Sequence, residues 1–351
     1  MKGETIINMK ETSGITPQNN YRNVVAILAP FKDNSFTFKS YKNMDLAISD
    51  QKTSVEEAVG YSYLLRMREK GFKTDIVLLN STTGTGESVD YTLTNDKLSS
   101  LLTELEDARV NIIYIAYELT DAQQTIFKTF RDAQFAKMKA FGLNTIMVST
   151  EAKHEALAAT FAEGGIYEVI TTREDESLIT YSLGETGAIE TARTAQLPEN
   201  VSKTAMLLPN VTGKLTKEVY GEEIYQSIID NGAVALKYRE RVNQLIEIVN
   251  SNTPTGRDLK IERVYHLIVN EVGLMLESYK GQDNSITLTY PHLLTELGSI
   301  KKTYMDLGYI TDLEFNIIKT GQNTAEISII LNEDDIIEKF DVNMTLIINE
   351  E

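Results

Sequence analysis

Between Val24 and Leu236 the chain returns seven times to a short apolar run: Val24–Leu28, Asp75–Leu79, Asn111–Ala116, Thr145–Ser149, Tyr167–Thr171, Ala205–Leu208 and Ala233–Leu236. The runs are too short for helices. They do not alternate with polar residues, so neither face is meant for water. Amphipathic stretches fit between several of them: Val55–Lys70, Asn95–Ala108, Asp121–Phe141, Lys153–Gly164 and Glu222–Asp230. Buried strands separated by helices predict a mainly parallel, doubly wound sheet covered on both faces. The polar region 175–200 interrupts the pattern. Leu178–Leu183 is expected as an added strand there and the rest as loop.

The last third changes character to α+β. Ile261, Val264, Ile268, Val272, Met275, Leu276 and Tyr279 recur in steps of three and four, which puts them on one helix face, and Lys280-Gly281 stops it. A second helix is expected after Pro291, with Leu294, Leu297, Ile300, Tyr304 and Leu307 on its apolar face and Gly308 at its end. Phe315–Lys319, a turn at 320–323, and Ala325–Leu331 read as two strands. After the acidic break Asn332-Glu333-Asp334-Asp335, Phe340, Val342, Met344, Leu346 and Ile348 alternate with polar residues, Ile347 excepted. An amphipathic strand at a chain end needs an edge to pair with. Its own sheet supplies one. A second copy supplies another, by strand addition.

The first twenty or so residues read as an arm, with a short apolar run from Thr5 to Met9 and a polar stretch carrying Gly14 and Pro17. A disordered tail is the other reading. The expected organisation is therefore an arm (1–22), an α/β domain (23–200), a C-terminal domain (201–341) and a terminal strand arm (342–351).

With 351 residues there is enough chain for two cores. A net charge of −17 argues against nucleic acid and anionic lipid as partners, because both select basic surfaces. Cysteine is absent, which removes disulfides and thiolate metal sites. No apolar run approaches the ~18 residues of a membrane span. Met1-Lys2-Gly3-Glu4 opens no long apolar stretch, so no secretory signal is expected and the chain should be made in the cytoplasm.

Catalytic and cofactor chemistry is not expected. Asn80-Ser81-Thr82-Thr83-Gly84-Thr85-Gly86-Glu87-Ser88 follows a strand, but Glu87 stands where a phosphate loop needs lysine, and an earlier glycine is missing. His154, His266 and His292 are far apart and read as helix-surface residues rather than metal ligands. Asp334-Asp335 and Glu222-Glu223 are sequence neighbours that point apart, a poor acid–base pair. Glu222-Glu223 instead suits the first turn of a helix. Ser88 and Ser149 have no histidine partner in a recognisable context.

The order of these elements, with Arg263-Val264-Tyr265, Tyr279-Lys280-Gly281, Leu307-Gly308-Tyr309-Ile310 and Val342-Asn343-Met344-Thr345-Leu346, resembles the C-terminal domain of contractile tail sheath proteins. That family includes the sheaths of contractile phages, phage-tail-like bacteriocins and related injection systems. Ile228–Leu236 resembles the family's helix-to-strand turn, and Asn252-Thr253-Pro254-Thr255 its lead into the helix. Ile6-Ile7-Asn8-Met9-Lys10, Gly14-Ile15-Thr16 and Asn23–Leu28 resemble the opening of sheath proteins from Gram-positive phages. Asn111–Ala116 and the helix after it resemble the middle part, as any doubly wound domain would.

The resemblance implies a structural subunit that stacks as hexameric rings around an inner tube and contracts to drive that tube through an envelope. Partners would be further copies, the tube protein, and baseplate and terminator proteins; no cofactor is implied. It implies inter-subunit arms at Ile6, Ile7, Asn8 and Met9, and at Val342, Asn343, Met344, Thr345, Leu346, Ile347 and Ile348. It places the tube-facing surface in the C-terminal domain. Arg257, Lys260 and Arg263, and Lys301 and Lys302 on the second helix, are the candidates; ordinary solvated helix faces are the other reading. The chain is short for a sheath, so large inserted domains are not expected. The competing function is a soluble α/β enzyme or nucleotide-binding protein with a C-terminal dimerisation strand.

Overall fold

The computed structural model describes residues 23–84, 88–106, 108, 110–136, 144–162, 166–172, 181–198, 200–204, 206–212, 222–239, 245–278, 286–319, 324–333 and 336–347. The chain divides into two compact units, Asn23–Gly281 and a second one that contains Gln282–Glu351.

The first unit is built on a nine-stranded sheet. Its strands are β1 (Val25–Ala29), β2 (Phe38–Tyr41), β3 (Ile76–Asn80), β4 (Ile112–Ile115), β5 (Asn144–Thr150), β6 (Ile166–Thr172), β7 (Met206–Thr212), β8 (Val234–Arg239) and β9 (Leu245–Ile248), in the order β2-β3-β1-β4-β5-β6-β8-β9-β7. From β3 to β8 every neighbouring pair is parallel. The additions at the two ends, β2 on one side and β9 with β7 on the other, are antiparallel. The mainly parallel sheet expected from the apolar runs is therefore present. β1, β3, β4 and β5 are buried along their whole length, as strands covered on both faces must be.

The helices of this unit are α1 (Met44–Gln51), α2 (Gly60–Glu69), α3 (Asn95–Glu106), α4 (Asp121–Ala136), α5 (His154–Thr160), α6 (Leu183–Gln196), α7 (Glu222–Asp230) and α8 (Leu259–Ser278). α8 buries Val264, Ile268, Val272 and Leu276, the stripe read from the spacing. Its first turn is capped by Asp258, whose carboxylate accepts from the Lys260 amide at 2.8 Å. The expected stop at Lys280-Gly281 lies outside the described residues.

Three expectations need correction. The region read as loop after Leu183 is helix α6. Ser182 and Glu185 form a capping box at its start, the Glu185 amide donating to Ser182 Oγ at 3.2 Å and the Ser182 amide to Glu185 Oε2 at 3.1 Å. Ile189 is the one large apolar residue on its buried face, beside Thr186, Gly187, Ala188, Glu190, Thr191, Ala192 and Thr194, so there is no apolar stripe to find. Small residues let α6 lie close against the sheet: a Cβ on Gly187 would fall 2.5 Å from atoms of Tyr114 and Val148. Second, the helix expected from Val55 begins at Gly60. Third, the division expected at residue 200 falls inside this sheet. β8 pairs with β6 through Ile170↔Val234 and Thr171↔Ala235, and β9 and β7 follow on.

The second unit holds α9 (Ile286–Asp306), β10 (Asp312–Lys319), β11 (Thr324–Glu333) and β12 (Ile336–Ile347), with the strands in the order β10-β11-β12. α9 starts before Pro291, not after it. The proline is the sixth residue of the helix, so its missing N–H removes one bond to the opening turn. Leu293, Leu297, Ile300 and Tyr304 form its buried face, while Leu294, expected there, is 44% exposed. In the sheet Leu313, Ile327 and Ile329 are buried, and the intervening Glu314 and Asn316 are exposed.

Candidate assembly surfaces

A doubly wound sheet offers a ligand crevice where the strand order reverses, here beside β1, which has β3 on one side and β4 on the other. The chain's own groups occupy the strand ends around β1. Asn80, Ser81 and Thr82 are fully buried. Asn80 Oδ1 accepts from the Phe31 amide at 3.1 Å and from the Thr82 amide at 3.0 Å. Thr82 Oγ1 donates to the Phe31 carbonyl at 2.7 Å. Ser81 bonds the Tyr117 hydroxyl, which donates onward to the Tyr91 carbonyl at 3.0 Å. Burial raises the Tyr117 phenol well above its ordinary range, so it stays neutral. These polar groups are spent on one another. Thr83 and Asp90 then close the loop by an antiparallel bridge. Glu87, the residue that argued against phosphate, lies outside the described residues.

The histidines divide by burial, which corrects the reading of all three as surface residues. His154 is buried, with Nδ1 2.8 Å from the Glu151 carbonyl. His266 is buried on α8, and burial, with the Arg131 charge adding to it, pushes its imidazole down to about 3. It is therefore neutral, and its 3.7 Å approach to Glu262 is not an ion pair at ordinary pH. His292 is exposed, 3.4 Å from Glu296. Among the described residues no group of three or more histidines and carboxylates could hold a metal ion. None of the described helices is long and apolar enough to cross a membrane.

What the second unit presents is sheet edge. β10 pairs with β11 antiparallel from Asp312↔Asn332 to Lys319↔Ala325. Among the described residues the far side of β10 has no strand on it, and the same holds for β12. Ile318 on β10 is 49% exposed. Unpaired edges carry free N–H and C=O groups that accept another strand.

The expected terminal arm is part of β12 and pairs with β11 of its own chain: Ile327↔Met344, Glu326↔Thr345, Ala325↔Leu346 and Thr324↔Ile347. The pairing is interrupted. Ile329 faces Phe340 and Ile327 faces Met344, so Asp341, Val342 and Asn343 stand opposite Ser328 alone. This bulge separates a hairpin stem from an outer segment that begins where the arm was expected. Ile348 and the N-terminal Ile6, Ile7, Asn8 and Met9 lie outside the described residues.

The basic candidates differ in availability. Lys302 is exposed on α9. Lys301 pairs with Asp312 at 2.6 Å and ties α9 to β10. Arg257 is half-buried with Nη1 3.4 Å from Glu262, and Lys260 is half-buried at the start of α8. Arg263 is buried, and its guanidinium donates to the carbonyls of Leu197 and Pro198 at 3.3 and 3.4 Å. That burial gives Arg263 a structural role inside its own unit. Charge and helix spacing alone could not separate it from Lys260.

No family model matches the sequence, and no curated protein matches it. Solved structures do match. The chain is similar to the sheath tail protein Lin1278 of Listeria innocua, at 10% identity and a TM-score of 0.66, over 94% of this chain and 96% of that one. It is similar to the sheath tail protein DSY3957 of Desulfitobacterium hafniense, at 14% identity and a TM-score of 0.63, over 98% of this chain and 100% of that one. The helical sheath of the anti-feeding prophage in its contracted state matches at 10% identity and a TM-score of 0.65, over 97% and 99% of the two chains. These three are sheath proteins. At such identities the likeness is one of fold, and it runs nearly end to end: this chain has the fold of contractile tail sheath proteins.

Proposed function

We propose that the chain is the subunit of a contractile tail sheath, stacking as hexameric rings around an inner tube and shortening to drive that tube through a target envelope. The observation that carries this reading is the end-to-end match of fold, with little chain left over on either side, to sheath proteins that include one in a contracted particle. Baseplate chains of the same particle also match, which supports contact with baseplate components.

The linkage would run through strands. The outer segment of β12, Val342 to Ile347, followed by Ile348, would leave β11 at the bulge and add to a neighbour's sheet, and the arm at Ile6–Met9 would add to an open edge. Main-chain bonds supply strength and alternating side chains set the register. Several such contacts per subunit hold a lattice even where each is weak. Strand tethers tolerate rotation and sliding, so an extended lattice could collapse without coming apart. The energy would lie in the packing difference between two lattices, held back by a barrier. No nucleotide is needed, and the subunit would be structural rather than catalytic.

Lys301 and Lys302 on α9, with Arg257 and Lys260, would face an acidic tube; Arg263 is left out because it is buried. Partners would be other copies, the tube protein, and baseplate and terminator proteins, in a virion or phage-tail-like particle assembled in a bacterial cytoplasm. Negative-stain electron microscopy of the purified chain, with and without Val342–Glu351, tests the reading. Long tubular polymers from the full chain and none from the truncated one are expected. Small discrete oligomers from both would overturn it.

A further inference from the structure

The interior of the first unit holds a charge cluster that the assembly reading does not use. Lys203, Glu168 and Glu190 have fully buried side chains. The Lys203 ammonium donates to Glu168 Oε2, to Glu190 Oε2 at 3.2 Å and to Thr194 Oγ1 at 3.1 Å, which uses its three hydrogens. Glu168, on β6, also accepts from the Asn144 side chain on β5. Glu190 Oε1, on α6, is buried with no hydrogen-bond partner among the described atoms.

With all three ionised, the cluster would bury one excess negative charge. An unpaired charge removed from water costs several kcal/mol, and two carboxylates sharing one cation cannot both ionise freely. The two carboxylates are not equivalent. Glu168 has a bond at each oxygen, one of them from the ammonium. Glu190 shares the ammonium and has an oxygen left over. Of the other charged groups near α6, Arg193 acts on Glu190 through its charge and favours the ionised carboxylate. Arg193, one turn on, aims at the Met206 sulfur at 3.3 Å. Arg66 on α2 is bonded to Glu185 at 2.7 Å, near the helix start. Tyr114 on β4 donates to the Gly184 carbonyl at 2.6 Å.

We propose that Glu190 binds a proton in the folded subunit, so that the cluster holds one ion pair and one neutral acid, and that loss of this proton loosens α6 from the sheet. Burial is the largest influence on Glu190 and raises its carboxyl, with the Glu168 charge adding to it against the pull of Lys203 and, more weakly, of Arg193. Burial alone would lower the Lys203 ammonium, but the carboxylates beside it, Glu168 foremost, raise it, so Lys203 stays charged. The folded chain then holds one more proton than the unfolded one above the ordinary carboxylate range. Stability from this site falls as pH rises toward the folded value. The inference rests on the first unit alone and stands whether or not the chain polymerises.

Infrared spectroscopy of the full-length chain tests it directly. The wild type should show a protonated carboxylic-acid carbonyl band above the ordinary carboxylate range that fades as pH rises further. Glu190→Gln, which has the charge and shape of the protonated acid, should fold, lack that band, and lose the downward drift of Tm across the same pH range. No such band in the wild type would overturn the proposal. So would a band that survives in Glu190→Gln, or a Glu190→Gln chain that fails to fold while Glu168→Gln folds.

Discussion

Arg66 on α2 and Glu185 on α6, 119 positions apart, meet through a 2.7 Å bond from Nε to Oε1. The other carboxylate oxygen of Glu185 closes the capping box on Ser182. One side chain thus starts a helix and ties it to its neighbour.

Glu185→Ala removes both roles. Ser182 still caps the helix, so the loss is the reciprocal hydrogen bond, about 0.5–1.5 kcal/mol, and the ion pair adds little because the Arg66 side chain is 31% exposed. A clear drop in Tm by calorimetry is expected. Glu185→Gln keeps an acceptor for the cap and should lose less than half as much.

At Gly187 there is no room for a side chain. A Cβ there would meet the Tyr114 ring and Val148 at 2.5 Å. Gly187→Val should destabilise by about 1–3 kcal/mol through overpacking, even though valine is more hydrophobic. Urea denaturation would show a lower midpoint, whereas Gly298→Ala, where a Cβ meets nothing within 4 Å, should hold or raise it.

The buried His266 makes the fold sensitive to acid. Its folded value, about 3, lies below the ordinary 6.5, so the unfolded chain takes up a proton in that window and the folded chain does not. Stability from this site is present above 6.5 and is lost as pH falls toward 3. His266→Gln should flatten the fall in Tm across that interval. An unchanged slope would show that the imidazole is reached by water in the native state.

Tube contact through α9 predicts different outcomes at adjacent lysines. Lys302→Glu should weaken co-sedimentation with tubes at low salt and leave Tm unchanged, since the side chain is exposed. Lys301→Glu should also lower Tm, because it sets a carboxylate against Asp312 at the end of the 2.6 Å pair. Normal loading of Lys302→Glu sheath on tubes at ordinary salt would count against this face.

The parallel core strands and the apolar stripe of α8 were legible because their signal is local. Unbroken valine, isoleucine and leucine runs can only be buried, and a three-four spacing can only make one helix face. α6 was not legible, since apart from Ile189 its buried face is small or polar, mostly threonine, alanine and glycine, whose burial is set by how closely the sheet approaches. Lys203 shows the same limit from the other side. A lysine among polar neighbours reads as surface, and only a fold that brings Glu168 and Glu190 around its ammonium makes burial tolerable. Pairing of the last strand is undetermined by alternation alone, because period two specifies which face is apolar and not whose edge is opposite. Within one chain, tertiary structure put that strand on β11 with a bulge at Ser328. Sequence determines which surfaces must leave water; the distances between remote residues decide what each is buried against.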